Sequence, residues 1–494
     1  MTKTYQLNME NLKLLPETVL TPTFNRDLIK TSILHIGVSN FHRSHQAYYT
    51  NELIDKFNEL NYGICGVDLL ETDRKIYNIL KDQDGLYTLY TKDPEGNHKA
   101  RIIGSIVEYF FGPENPLAVI EKMANPDIKI ISLTIAEDGY QLNEVTGAFN
   151  INHPFIEEDI KTPFKPKTVF GYLTQALKLR KLRNLPGCTI LSCDNIKANG
   201  DTIKEALFNY VSKTEPELLD WISKNTTFPN SMVDRITTVT DFKDIDALKN
   251  EFAIDDQWPV ISESFSQWII EDRFLQEKPA WEKVGVNFTD SISPFERMKL
   301  RLLNAGHSIL GILGTICGYK NVYESATDDD LMLFLTLYMN DEVLPTLSDL
   351  NTENIKSYQH NLVTRFQNPY LNDRLSRICS ESSSKIPLFI LPTIKDLLKQ
   401  KKTITKAAFI IAAWCRYNDG LNDSKTSYNI NDNISGTLIR SAALSYQNPL
   451  KFLEIESVFG DLSKNETFTE SYKTSLNLLR NNDIKTCINI ICKA

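Results

Sequence analysis

The run ILHIGVSNFHR, residues 33–43, decides how the chain is read. Its first half is a short apolar run, Ile33–Val38, that reads as a buried strand ending at Gly37. A helix is expected from Arg43 to Lys56. A dinucleotide fold uses such a strand–glycine–helix turn to bring backbone N–H groups against a pyrophosphate. The full glycine fingerprint is absent. Val38, Ser39 and Asn40 follow Gly37, so only the first glycine remains. On this turn alone, an ordinary strand–turn–helix reads equally well.

Outward from this point the pattern repeats. GICGVDLL (63–70) is a second strand-like run, and a helix is expected over Thr72–Lys81. Further strands are expected at Leu86–Thr91, Ile102–Phe110, Ile128–Ile135 and Thr189–Cys193. Runs such as IKIISLTI are apolar on both faces, as buried parallel strands require. This alternation predicts a doubly wound α/β sheet. Near Phe288–Pro294 the character changes. Long helical patterns follow at Phe295–Cys317, Asp328–Glu342, Ile355–Phe366 and Thr405–Asn418. The expected fold is α/β, with a Rossmann-type N-terminal domain over 1–288 and a mostly α-helical C-terminal domain over 289–494.

The second strand ends in Val67-Asp68, 31 residues after Gly37. An acid near this point accepts hydrogen bonds from an adenosine ribose and favours NAD over NADP. Asp68, Glu71 and Asp73 all compete for that role, and any one of them reads equally as a cap for the helix before Arg74.

Composition removes several classes of function. Across 494 residues, 54 Lys and Arg face 63 Asp and Glu, a net charge of −9 that repels polyanions. Neither nucleic acid nor an anionic membrane is an expected partner. The eight cysteines form no CxxC pair and no zinc-like spacing with histidine, so no metal site is expected. They read as reduced core residues, and the expected location is cytoplasmic. The most apolar stretches, near Leu331–Met339 and Phe409–Cys415, fall short of a bilayer span. No heptad run announces a partner, so a monomer or weak homo-oligomer is expected.

The densest local chemistry is SPFERMKLRLLNAGH, residues 293–307. Ser293 and Glu296 have the spacing of a capping box, with Pro294 at the first helical position. On a regular helix, Lys299, Asn304 and His307 then fall within an arc of about 140°. One face would carry an amine, an amide and an imidazole: a base, an oxyanion donor and a group to orient a hydroxyl. The competing reading makes Arg297, Lys299 and Arg301 one exposed basic face.

Taken together, IGVSNFHRSHQAYYT (36–50), YGICGVDLLETDRK (62–75), SLTIAEDGY (132–140), KTVFGYL (167–173), SCDNIKANG (192–200), FPNSMVDRIT (228–237), AWEKVGVNFTD (280–290), MKLRLLNAGH (298–307) and SSKIPLFILPT (383–393) resemble the polyol-specific long-chain dehydrogenase/reductase family over essentially the whole chain. That resemblance implies an extended Rossmann domain, a helical domain with the active site between the two, and zinc-independent oxidation of a polyol by NAD. D-mannitol/D-fructose is the leading pair. D-arabinitol, D-sorbitol and fructuronate or tagaturonate are alternatives, and a non-catalytic dinucleotide-binding protein is the reading from another class. The resemblance implies Lys299 as general base, and Asn195 and Asn304 as the amides that polarise the reacting oxygen. It implies His307 as the group positioning the hydroxyl and Glu296 as a carboxylate near the proton path. Asp234, Arg377 and Lys385 would bind polyol hydroxyls. Gly37, Val38, Ser39, Asn40 and Phe41 would line the cofactor turn, with Asp73 on the ribose. Glu296 thereby carries two roles, of which the capping one is the expected resting state. A free lysine, with pKa ~10.4, is a poor base at neutral pH; one lowered to ~7–8 by burial and nicotinamide charge would serve.

Two departures stand out. The family's usual GVGGFHR is GVSNFHR here, which places Ser39 and Asn40 where glycines permit positive φ or close cofactor approach. TIAEDGY likewise replaces the commoner TITEGGY.

Overall fold

Strands of Ile, Leu and Val alternating with helices build the first half of the chain. The computed structural model describes residues 3–143 and 147–493. The backbone divides into two compact units, Met1–Ser293 and Pro294–Ala494.

In the first unit, β1 (Thr31–Ile36) is buried at every position. It is followed by α1 (Asn40–Ser44), α2 (Gln46–Phe57), β2 (Gly63–Asp68) and α3 (Arg74–Asp82). After them come β3 (Tyr87–Lys92), β4 (His98–Ile103), β5 (Ile106–Phe111), α4 (Pro116–Ala124), β6 (Ile130–Leu133), α5 (Val169–Leu182), β7 (Thr189–Ser192) and α6 (Asn199–Thr214). Five of these strands form one sheet in the order β5-β2-β1-β6-β7, parallel throughout. This is the mononucleotide-binding order of a Rossmann fold, and its direction reverses between β1 and β6. Apolar clusters cover both faces, one around Leu34, Ile131 and Phe170, the other around Ile33, Leu53 and Trp268.

Additional strands extend this core. β3 and β4 form an antiparallel hairpin, and β3 pairs in parallel with β9 (Val260–Ser262). β8 (Ser231–Asp234) pairs antiparallel with β10 (Gln267–Glu271).

Two expected elements divide. The strand run 102–110 becomes β4 and β5, broken at Gly104-Ser105. There the Gly104 N–H donates to Asn51 Oδ1 (2.8 Å) and Ser105 Oγ to the Ala47 carbonyl (2.8 Å). Those bonds to α2 replace ladder bonds. The helix expected from Arg43 is interrupted at His45, whose φ and ψ of −120° and −89° are non-helical. Its Nε2 lies 2.9 Å from the Gln267 carbonyl, so a tertiary bond overrides local helical preference.

The second unit is helical among the described residues. α7 (Ser293–Lys299) continues through a π-turn, Leu300–Asn304, into α8 (Ala305–Cys317). α9 (Asp329–Leu337) likewise passes into a second π-turn, Tyr338–Val343. α10 (Leu375–Cys379), α11 (Ser382–Phe389), α12 (Leu391–Lys399), α13 (Thr405–Tyr417) and α14 (Glu466–Asn481) follow. α8 and α13 run through the centre of one large apolar cluster. Close packing is built in at Gly314, where a Cβ would overlap Ser325 Oγ. The run 293–317 is the one helix among the described residues with the length and apolarity of a membrane span, a feature not expected from the sequence. Most of it is buried inside its own unit, so the apolar stretch serves the core.

Candidate active site

The turn after β1 stands at the switch point of the sheet. Gly37 has φ +88°, and a Cβ there would overlap the backbone carbonyl oxygen of Thr134, which follows β6. Only glycine fits. Thr134 Oγ1 donates to the Gly37 carbonyl at 2.6 Å. His35 Nε2 lies 3.0 Å from that same oxygen, and its Nδ1 lies 2.8 Å from Ser132 Oγ. The ring of His42 stacks on His35 at 3.4 Å.

Ser39 and Asn40 do not carry the backbone consequence their replacement of glycine implies. Ser39 has an ordinary φ of −73° and caps α1, its Oγ accepting from the His42 N–H at 3.2 Å. Asn40 is helical, and its Oδ1 accepts from Arg43 Nη2 at 2.6 Å. Neither has positive φ. Phe41 follows on α1, its ring stacked with His45 at 4.9 Å.

The three competing acids separate cleanly. Asp68 is buried; its Oδ1 accepts from the Val38 N–H (2.9 Å) and its Oδ2 from the Tyr109 hydroxyl. Burial pushes its pKa up to about 6. It belongs to the scaffold of the turn. Glu71 is held by Arg74 on the surface. Asp73 is half-buried and bonded to the Leu70 backbone rather than to a side chain, and burial raises its pKa. Of the three, its carboxylate retains the capacity to accept hydroxyls.

This set fits an adenine dinucleotide: an obligate glycine at the switch point, a helix start beyond it, and an available acid after β2.

Elsewhere in the first unit, Asn195 is exposed in the loop between β7 and α6. Its neighbour Asp194 is buried and fastens the loop after β6. Asp194 accepts from the backbone N–H groups of Ile135 (3.1 Å) and Ala136 (2.9 Å) and from the Tyr140 hydroxyl (2.7 Å). Burial lifts its pKa to about 6. Asp234 is buried at the end of β8, opposite Gln267.

In the second unit the exposed basic face does not form. Arg297 pairs with Asp349 at 2.7 Å near the surface, while Lys299 and Arg301 are each only 6% exposed. The regular-helix arc is also superseded. In the π-turn the Ala305 N–H reaches back to the Leu300 carbonyl, an i→i+5 bond. Residues five apart then stand nearly one above the other, so Lys299 and Asn304 share a face far more closely than α geometry allows. Asn304 Oδ1 is buried without a hydrogen-bond partner. The His307 ring packs on Phe366 at 4.7 Å. α7 begins at Ser293 itself, whose N–H donates to Ser291 Oγ at 3.4 Å. Glu296 lies three residues before Lys299 on α7.

Arg377 on α10 is doubly bonded to Asp373, at 2.8 Å from Nε and 2.7 Å from Nη2. Lys385 on α11 donates to the Ile378 carbonyl at 3.1 Å. The sequence alone singles out neither Asp194 nor Thr134, nor the burial of Arg301. A charge set within the apolar run LRLLNAG was the available signal for Arg301.

Comparison with known proteins agrees with this architecture. The mannitol dehydrogenase Rossmann domain matches residues 31–283, and the mannitol dehydrogenase C-terminal domain matches residues 291–480. The chain is 39% identical to a mannitol 2-dehydrogenase of Phaeosphaeria nodorum over 489 residues, covering 98% of this chain and 85% of that one. It is also 39% identical to the mannitol 2-dehydrogenase of Neosartorya fischeri, covering 97% and 98%. Among solved structures, Pseudomonas fluorescens mannitol 2-dehydrogenase in ternary complex with NAD and D-mannitol superposes with a TM-score of 0.91 at 38% identity, covering 99% of this chain and 100% of that one. A D-sorbitol dehydrogenase in substrate-free form gives 0.90 at 33%, covering 98% and 100%. The chain therefore belongs to the mannitol dehydrogenase family.

Proposed function

We propose that this protein is an NAD-dependent polyol dehydrogenase that interconverts D-mannitol and D-fructose, with Lys299 as general base and no metal ion. The observation that carries this reading is the face of the π-turn. The buried amine of Lys299 and the buried amide oxygen of Asn304, the latter without a hydrogen-bond partner, share that face in the family's catalytic motif. Bound NAD supplies the hydride acceptor.

The chain's own residues do the rest. Lys299 Nζ removes the proton of the secondary hydroxyl and returns it in the reverse direction. The carboxamides of Asn195 and Asn304 hold the developing alkoxide in place of a Lewis acid. His307 orients the reacting hydroxyl, and Glu296 serves the proton path from Lys299. Asp234, Arg377 and Lys385 bind the remaining hydroxyls. Gly37, Val38, Ser39, Asn40 and Phe41 form the cofactor turn, and Asp73 accepts the ribose hydroxyls. Asp68 acts through the turn rather than on the ribose.

A neutral polyol is favoured over a sugar acid by the Arg377–Asp373 pair, which already satisfies the guanidinium with a carboxylate. The likeness to a D-sorbitol dehydrogenase supports D-sorbitol as a second substrate. Eight unbridged cysteines are in keeping with a reducing, cytoplasmic setting. The chain works as a monomer or weak homo-oligomer, without nucleic acid or membrane.

The test is absorbance at 340 nm with NAD and a panel of polyols after exhaustive chelation. D-mannitol should give the fastest rise, and fructose with NADH the reverse. A flat trace throughout would favour a binding protein; activity lost to EDTA and restored by zinc would contradict the metal-free reading.

A further inference from the structure

A π-turn inside a helix is a rare and costly geometry, and it persists where surrounding contacts hold it. The turn at Leu300–Asn304 starts just after Lys299 and ends in Asn304, the two residues that the proposed chemistry needs on one face. Its second residue, Arg301, is buried, and its guanidinium has two anchors outside its own helix. Nη2 lies 2.7 Å from Asp396 Oδ2 on α12. Nη1 donates to the Thr346 carbonyl at 3.4 Å. Thr346 closes the short 3-10 turn Leu344–Thr346 that directly follows the second π-turn. That second π-turn packs against the first. It is tied down in turn by Glu342, whose carboxylate accepts from the backbone N–H groups of Lys406 (2.7 Å) and Ala407 (2.8 Å) at the start of α13.

We propose that Arg301, paired with Asp396, is a positioning residue for the reaction. It pins the Leu300–Asn304 π-turn so that Lys299 and Asn304 stay on one face. Removing the guanidinium leaves the Thr346 carbonyl and the Asp396 carboxylate without their donor and removes what holds the turn against relaxation to α geometry. In that geometry Asn304 swings to about 140° from Lys299. The amide then no longer faces the oxygen whose proton the amine takes. Misplacement of this kind costs on the order of 10²-fold in rate.

This inference rests on the proposed role of Lys299, so the test runs Lys299→Ala beside Arg301→Gln, Asp396→Asn and the double variant Arg301→Gln/Asp396→Asn. Asp396 is one-third exposed, so Asp396→Asn carries the test if Arg301→Gln does not fold. The expected result is a kcat about 10²-fold lower in Arg301→Gln, with KM for D-mannitol and NADH affinity within about threefold. The limb of the pH–rate profile assigned to the base should shift by at least half a unit. The double variant should lose no more than Arg301→Gln alone, because the two act as one unit. Amide hydrogen exchange at Leu303–Gly306 should slow as regular i→i+4 bonds replace the π pairing, which reports the turn independently of activity. Unchanged kcat, pH profile and exchange in folded variants would overturn the proposal while leaving Lys299 in place. Near-normal turnover in Lys299→Ala would overturn both.

Discussion

Gly37 and Thr134 meet across the sheet's switch point. The Thr134 hydroxyl donates to the Gly37 carbonyl at 2.6 Å, while the Thr134 carbonyl oxygen occupies the space a Cβ on residue 37 would need. One residue thus both holds the turn and excludes any side chain at position 37. Gly37→Ala adds left-handed strain, about 1–2 kcal/mol, to an overlap with backbone that costs about 1–3 kcal/mol. The variant should lose about 2–5 kcal/mol in urea unfolding, and NADH should no longer quench or shift its fluorescence at concentrations that saturate the wild type. Wild-type stability in Gly37→Ala would show that the turn adopts another conformation.

The two acids after β2 should separate by assay. Asp68 serves the Val38 N–H and the Tyr109 hydroxyl, so Asp68→Asn should cost about 1–3 kcal/mol of stability. Asp73→Ala should leave the unfolding midpoint nearly unchanged but weaken NADH binding about tenfold and narrow the preference for NAD over NADP. Titration calorimetry and chemical denaturation on the same two variants check this. The reverse pattern would exchange their roles.

The buried histidines predict an acid-side loss of stability. Burial pushes His35 down to about 3 and His42 well below 6.5. Unfolded, both bind protons near pH 6.5, so their contribution is complete above that pH and is lost as pH falls. The slope is about 1.4 kcal/mol per pH unit for each histidine. Asp68 and Asp194 act oppositely. With pKa values raised to about 6, their contribution is complete below 3.8 and lost as pH rises through 6. A difference measurement isolates the histidines. His42→Phe keeps the stack on His35 and removes two ring nitrogens that have no hydrogen-bond partner. Its stability should match the wild type at pH 7 and fall less steeply between pH 6.5 and 5. Parallel curves would count against the buried neutral ring.

Much of the fold is legible in the sequence, because parallel strands buried on both faces need mostly apolar runs, and these are present at 33–36, 63–67 and 130–133, interrupted only by His35 and Ser132, which bond each other. The obligate glycine was legible too, as a strand end before a helix. What escaped was tertiary in origin. His45 breaks a sequence with no local breaker, through its bond to the Gln267 carbonyl. The π-turn cannot be read from a pattern analysed at 3.6 residues per turn, and it changes which residues share a face. The choice between Asp68 and Asp73 depended on Tyr109 and Val38, a strand and a turn away. The roles of Asn195, Asp234, Arg377 and Lys385 came from family resemblance alone; no local pattern marks them.

The Arg377–Asp373 pair predicts a preference for a neutral substrate over a sugar acid. The wild type should turn over D-mannitol at least tenfold better than D-fructuronate is reduced, compared as kcat/KM. Asp373→Asn releases the guanidinium and should improve the relative rate with the sugar acid about tenfold. An unchanged ratio would show that this arginine does not set charge preference.

If Lys299 moves the proton, steady-state turnover of Lys299→Ala with D-mannitol and NAD reads its loss. Its kcat should fall by about 10³-fold or more, with NADH binding within twofold of the wild type. Turnover within a few-fold of the wild type in that variant would contradict that role.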